Sequence, residues 1–140
     1  MWSLIGRFRY EIMNAITDFR RINYKGQPLS SNIFNELHRK SFEFIKKSVK
    51  HEGKKIVITH HLPSELCNAD EFKDSIYNDA FCVDKTDFIR ASNIDYWIYG
   101  HSHRNIKDFQ IKGTKLITNQ LGYVGFGEQK DFEREKIICI

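Results

Sequence analysis

The sequence predicts an α/β domain with a mixed sheet, flanking helices and one hairpin. Three observations carry that prediction. Two short apolar runs, Ile56-Val57-Ile58 and Tyr96-Trp97-Ile98-Tyr99, have the composition of buried strands. Apolar residues at helical spacing fill the stretches before and between them. Two further strand-like runs, Phe109-Gln110-Ile111 and Leu116-Ile117-Thr118, flank Lys112-Gly113-Thr114-Lys115, which reads as a hairpin turn.

The chain of 140 residues is one domain's worth, so a single domain is expected over residues 1–140. Hydrophobic residues at 41% and aromatic residues at 14% exclude a disordered chain. No apolar run approaches the roughly 18 to 20 residues of a membrane helix, and Met1 to Glu11 lacks a secretory signal pattern. Cys67, Cys82 and Cys139 are odd in number and form no CxxC spacing, so a reduced, cytoplasmic setting is expected. The net charge of +4 is uneven, with ten Lys and Arg against four Asp and Glu in residues 1–50. That basic half suits a phosphate-rich partner. Without an aromatic-interleaved motif it reads instead as a solvated helix face, and neither nucleic acid nor a membrane is an expected partner.

Taken in order, Trp2, Ile5, Phe8, Ile12, Met13 and Ile16 recur at three and four residues and predict one N-terminal amphipathic helix. Asp18 to Gly26 reads as a loop or short strand. Pro28 sets a turn, and Ser30 or Ser31 caps a second helix whose apolar face runs Ile33, Phe34, Leu37, Ser41, Phe44, Ile45 and Val49. Gly53 is placed to close it. His38 on this helix has no second ligand at useful spacing and reads as structural or surface. Ile56-Val57-Ile58 is expected as an interior strand, which Pro63 keeps from continuing. A weak helical tendency around Asp70 to Tyr77 precedes a short helix capped by Asp84, with Asp87 in its first turn, ending near Ser92-Asn93. Helix capping also accounts for this carboxylate pair better than catalysis does. Gly122, Gly125 and Gly127 form an aromatic loop that matches no dinucleotide or phosphate-loop fingerprint. Lys136 to Ile140 is expected to close the fold as a strand.

The chemistry concentrates in two histidine pairs. His60-His61 and His101-Ser102-His103 each follow a strand-like run, so four of the six histidines sit at strand ends. If the backbone stays extended past Gly100, His101 and His103 project the same way and can hold a metal. Open α/β sheets collect their ligands at such carboxyl ends. Cys67 and Cys82 have no base nearby in sequence and are poor nucleophile candidates.

Val57-Ile58-Thr59-His60-His61-Leu62-Pro63 followed by Trp97-Ile98-Tyr99-Gly100-His101-Ser102-His103 resembles the calcineurin-like metallophosphoesterases. Asn78-Asp79-Ala80-Phe81, Asp84, Gly113 to Asn119 and Gly122-Tyr123 support the resemblance, which runs from about Asp18 to Tyr123. It implies a two-sheet αββα sandwich with two metal ions at the strand ends. By position, His60 and His101 would bind one metal and His103 the other, with His60 preferred to His61 because it follows the strand directly. His61, Arg104 and Asn105 would contact phosphate or support the ligands. The implied reaction is hydrolysis of a phosphate mono- or diester through metal-activated water, with Mn, Fe or Zn as the metals.

The family's Asp-x-His, Gly-Asp and Gly-Asn-His motifs are missing. None of the eight glycines precedes Asp or Asn, and no histidine has Asp two positions before it. No catalytic residue is identified. The expectation is therefore the C-terminal half of such a sandwich, lacking its N-terminal half. It would hold one weak metal or none and be inactive alone, paired with itself as a homodimer or with the missing half. The alternative is a non-catalytic partner-binding module that retains vestigial ligand histidines.

Overall fold

A computed structural model describes residues 3–140, and its first departure from the sequence expectation lies at the N-terminus. The expected helix is confined to α1 (Arg9–Ala15), whose N-cap, Phe8, adopts a left-handed backbone with φ 47°. Side chains from elsewhere take the backbone groups that a helical turn would have used. Asn35 accepts from the Ile5 N–H and donates to its carbonyl, both at 2.8 Å, and the Asp79 carboxylate accepts from Gly6 at 3.0 Å and Arg7 at 2.7 Å. Ile5 and Ile12 are still buried together with Phe19, Leu29, Phe34 and Ala80. The apolar spacing thus records burial without a continuous helix. Trp2, the first member of the expected stripe, lies outside the described residues.

The segment expected as loop or strand contains α2 (Asp18–Arg21) and then a two-stranded hairpin of β1 (Asn23–Tyr24) and β2 (Gln27–Pro28). Lys25 and Gly26 carry positive φ, 52° and 78°, as a tight two-residue hairpin turn requires. Next comes α3 (Ser31–Ser48). Ser30 caps it as expected, its hydroxyl accepting from the Ile33 N–H at 3.3 Å. Its buried face is rotated from the expected one. Phe34, Asn35 and His38 are buried, with Phe42, Ile45 and Val49 against the core, while Phe44 is 70% exposed. The helix ends at the Val49 cap, not at Gly53.

The main sheet is built from β3 (Ile56–Ile58), β4 (Tyr96–Tyr99), β5 (Phe109–Ile111) and β6 (Thr114–Thr118), in spatial order β3-β4-β6-β5. Pairing is parallel from β3 to β4 and from β4 to β6, and antiparallel in the β5–β6 hairpin. The turn of that hairpin puts positive φ on Lys112, at 55°. The register Val57–Trp97–Leu116 lines one face. Phe42, Ile45 and Val49 of α3 and Ile89 of α4 (Thr86–Ala91) pack in the same core. Asp84 sits just before α4 and accepts from the Thr86 N–H at 3.1 Å.

Three expectations fail in this region. β3 is an edge strand, not an interior one, and leaves Ile56 and Ile58 40% and 71% exposed. The stretch around Asp70 to Tyr77 folds as tight single turns, at Asp70–Phe72 and then Asn78–Ala80. Residues 136–140 form no strand, since no neighbouring strand receives their backbone, and Ile137 is 83% exposed. The three cysteines are free thiols. Among the described residues, no helix is long and apolar enough to cross a membrane.

Candidate metal centre

Both histidine motifs leave the sheet at the same end because β3 and β4 run parallel with Ile58 opposite Ile98. The ladder continues one step past β3, where the Thr59 N–H donates to Ile98 O at 2.9 Å. The two turns then join directly: the Gly100 N–H donates to the His60 carbonyl at 3.1 Å. Thr59 Oγ1 accepts from Trp97 Nε1 at 3.0 Å and donates to His61 O at 2.9 Å. The core tryptophan thereby positions the histidine turn.

His60, His61 and His101 converge, with one ring nitrogen of each lying within 4.8 Å of the others. His101 Nδ1 and His60 Nε2 are 3.0 Å apart. His101 stacks on Phe81 with ring centroids 4.1 Å apart. Burial, reinforced by His60 and His103, lowers the His101 pKa to about 4, so the ring is neutral with a lone pair to give. His61 is buried, and its Nδ1 lies 2.9 Å from Ser3 Oγ. The Ser3 hydroxyl has one proton and donates it to the Ala80 carbonyl, so it accepts from His61 Nδ1–H. Ser3 thereby holds the His61 ring from the Nδ1 side. Three imidazoles at this spacing fit a divalent transition metal. Among the described residues, no carboxylate belongs to the cluster.

His103 is not part of this group. His101 and His103 have φ 78° and 52°, so the backbone past Gly100 is left-handed at both residues and not extended. Alternation along a strand no longer applies, and His103 turns to Glu128, with Nδ1 to Oε2 at 3.0 Å. Glu128 also accepts from the Tyr123 N–H at 2.6 Å and from Arg104 Nη1 at 3.3 Å. The Tyr123 N–H, with His103 and Arg104 behind it, holds the Glu128 carboxyl below its usual range. Arg104 is tied a second time, by Glu71, and that bond raises the Arg104 pKa.

Gln120 is the fastener of the loop. Its Oε1 accepts from the His103 N–H at 2.8 Å, and its Nε2 donates to Arg104 O at 2.9 Å and Thr118 Oγ1 at 2.8 Å. Asn105 locks Gln120 in turn, accepting from its N–H at 2.7 Å and donating to its carbonyl at 2.9 Å. Of the residues expected from sequence, His60, His61 and His101 are thus brought together, while His103 and Arg104 meet Glu128 and Asn105 serves the loop. Ser3, Gln120 and Glu128 were not foreseen, because each acts across the fold and none lies in a motif.

The calcineurin-like phosphoesterase family model matches residues 4–105, well over half of the chain and both histidine motifs. The chain belongs to the calcineurin-like phosphoesterase family. No curated protein and no solved structure matches it. The family match begins before α1, further upstream than the sequence resemblance, and ends at Asn105, so the hairpin, Gln120 and Glu128 lie beyond it. The family's fold class accords with the mixed sheet and its helices, and its chemistry accords with a histidine cluster able to hold a metal.

Proposed function

We propose that this chain carries the histidine side of a metal-dependent phosphoesterase site that hydrolyses phosphate mono- or diesters. The convergence of His60, His61 and His101 at the ends of two parallel strands carries the reading. In it, His60 and His101 hold one metal, and His61, held from behind by Ser3, keeps the pair in place. His103, oriented by Glu128, serves the second metal position. A bound divalent metal supplies Lewis acidity that offsets the charge of the phosphoryl group. The residues of this chain bind and orient, and none of them is assigned a proton transfer.

The same reading makes the site incomplete on this chain. Two dications repel each other and need anionic ligands between them, which neutral imidazoles do not provide. The exposed edge at β3, with Ile58 and Phe44 uncovered beside His60, suits a further protein surface that would bring those carboxylates. That surface is either the missing half of the sandwich or a second copy of the chain.

Calorimetric titration with Mn²⁺ or Zn²⁺, paired with phosphatase and diesterase assays, tests both parts. One weak metal per chain is expected, lost in His60→Ala and His101→Ala, with no turnover. No metal binding overturns the site, whereas robust turnover by the isolated chain overturns its incompleteness.

A further inference from the structure

Between the turns at Asp70–Phe72 and Asn78–Ala80 and the His101 loop lies a cavity of about 280 Å³. Leu62, Phe72, Tyr77 and Phe81 form apolar walls, and His101 closes one end. Phe81 stacks on His101, so the cavity and the histidine cluster share a wall. The lining contains no Asp, Glu, Lys or Arg. Cys82 adds a neutral sulfur, its thiol pushed up to about 12 by burial.

The Asn78 amide in the wall is already engaged. Asn78 Nδ2 donates to Phe72 O at 2.7 Å and Lys73 O at 2.9 Å, and Asn78 Oδ1 accepts from Asn68 Nδ2 at 3.1 Å. These bonds fix the Phe72 turn, and no side chain of fixed charge lines the wall to pair with an ion. A charged guest would lose its hydration uncompensated. Size narrows the guest further. A cavity of about 150 Å³ accepts benzene, so this one takes a single ring with a short substituent.

We propose that this cavity binds the uncharged, single-ring aromatic group of a phosphate ester whose phosphoryl group lies at the histidines. The inference rests on the metal-site reading for the position of the phosphoryl group, but ring binding itself needs no metal. The test is a set of NMR titrations on the metal-free, isotope-labelled full chain. They follow the Asn68 and Asn78 side-chain amides and the Ser102 backbone amide.

Phenol should shift these signals saturably. Benzoate, a ring of similar size bearing a charge, should bind about tenfold more weakly or worse, and methyl phosphate should leave them unmoved. Ser75→Trp, which fills the cavity, should weaken phenol binding by about tenfold. Tyr77→Ala, which removes a wall, should act in the same direction. Absence of a saturable phenol shift overturns the proposal, as do equal binding of benzoate, equal shifts with methyl phosphate, or unaltered phenol binding in both variants. Zn²⁺ titration, read at the His60 and His101 ring signals, separates the two readings. Zinc binding without phenol binding defeats this inference alone; phenol binding without zinc binding defeats the metal site and leaves the ring pocket standing.

Discussion

At the scale of single residues, the left-handed backbone of His101 and His103 is the decisive feature. Non-glycine residues adopt it at a cost of roughly 1 to 2 kcal/mol each. Here Gln120, Asn105 and Glu128 hold the loop in place. Gly122 shows how tightly that support is built. It has φ 65°, and a Cβ there would lie 2.6 Å from Glu128 Cβ and 3.3 Å from His103 Cβ. Gly122→Ala should therefore cost about 1 to 3 kcal/mol and break the His103–Glu128 contact, readable as a lower urea midpoint and a displaced His103 ring signal.

His38 makes a second prediction at this scale. Burial, then the charges of Lys85 and Arg39, lowers its pKa from 6.5 to about 4. The unfolded chain takes up a proton below pH 6.5 while the folded chain does not until about pH 4, so stability falls as pH drops through that window. The loss amounts to roughly 3 kcal/mol at about 1.4 kcal/mol per unit. In His38→Gln the pH dependence of unfolding free energy from urea melts between pH 7 and 4.5 should flatten by most of that amount. An unchanged slope would place the titration elsewhere.

At the scale of elements, β4 joins the core to the site. Trp97 is fully buried at the centre of the sheet, and its indole N–H reaches Thr59, which in turn holds the His61 carbonyl. Trp97→Phe keeps a ring but loses that hydrogen bond. It should lower stability by about 1 to 2 kcal/mol and loosen metal binding. Thermal melts and metal titration measured on the same variant check whether the two effects travel together. The N-terminal segment teaches a different lesson. Its spacing satisfies a helix, yet Asn35 and Asp79 compete successfully for its backbone.

For the whole molecule, the uncovered β3 edge is the dominant feature. An exposed edge strand with bulky apolar side chains invites pairing with another chain. If a second copy of the chain pairs with that edge, the protein self-associates, and Ile58→Lys shifts it toward monomer, since a charge on an edge strand opposes pairing. Gel filtration across a range of concentrations decides it. A wild-type monomer at high concentration would count against homodimerisation.

Local sequence was sufficient for the four strands of the main sheet, the β5–β6 hairpin, the Ser30 cap and the position of the histidines at strand ends, because strand composition, capping chemistry and turn residues act over a few positions. It was also sufficient for the family, since the two histidine motifs stand close to the strands that define them. The tertiary structure alone decided which histidines meet. That depended on the parallel register of β3 and β4, on the left-handed backbone past Gly100, and on Ser3, Gln120 and Glu128 arriving from distant parts of the chain. Burial order was equally a tertiary matter: the β-branched run at Ile56 to Ile58 has the composition of an interior strand, but only the number of neighbouring strands makes it an edge.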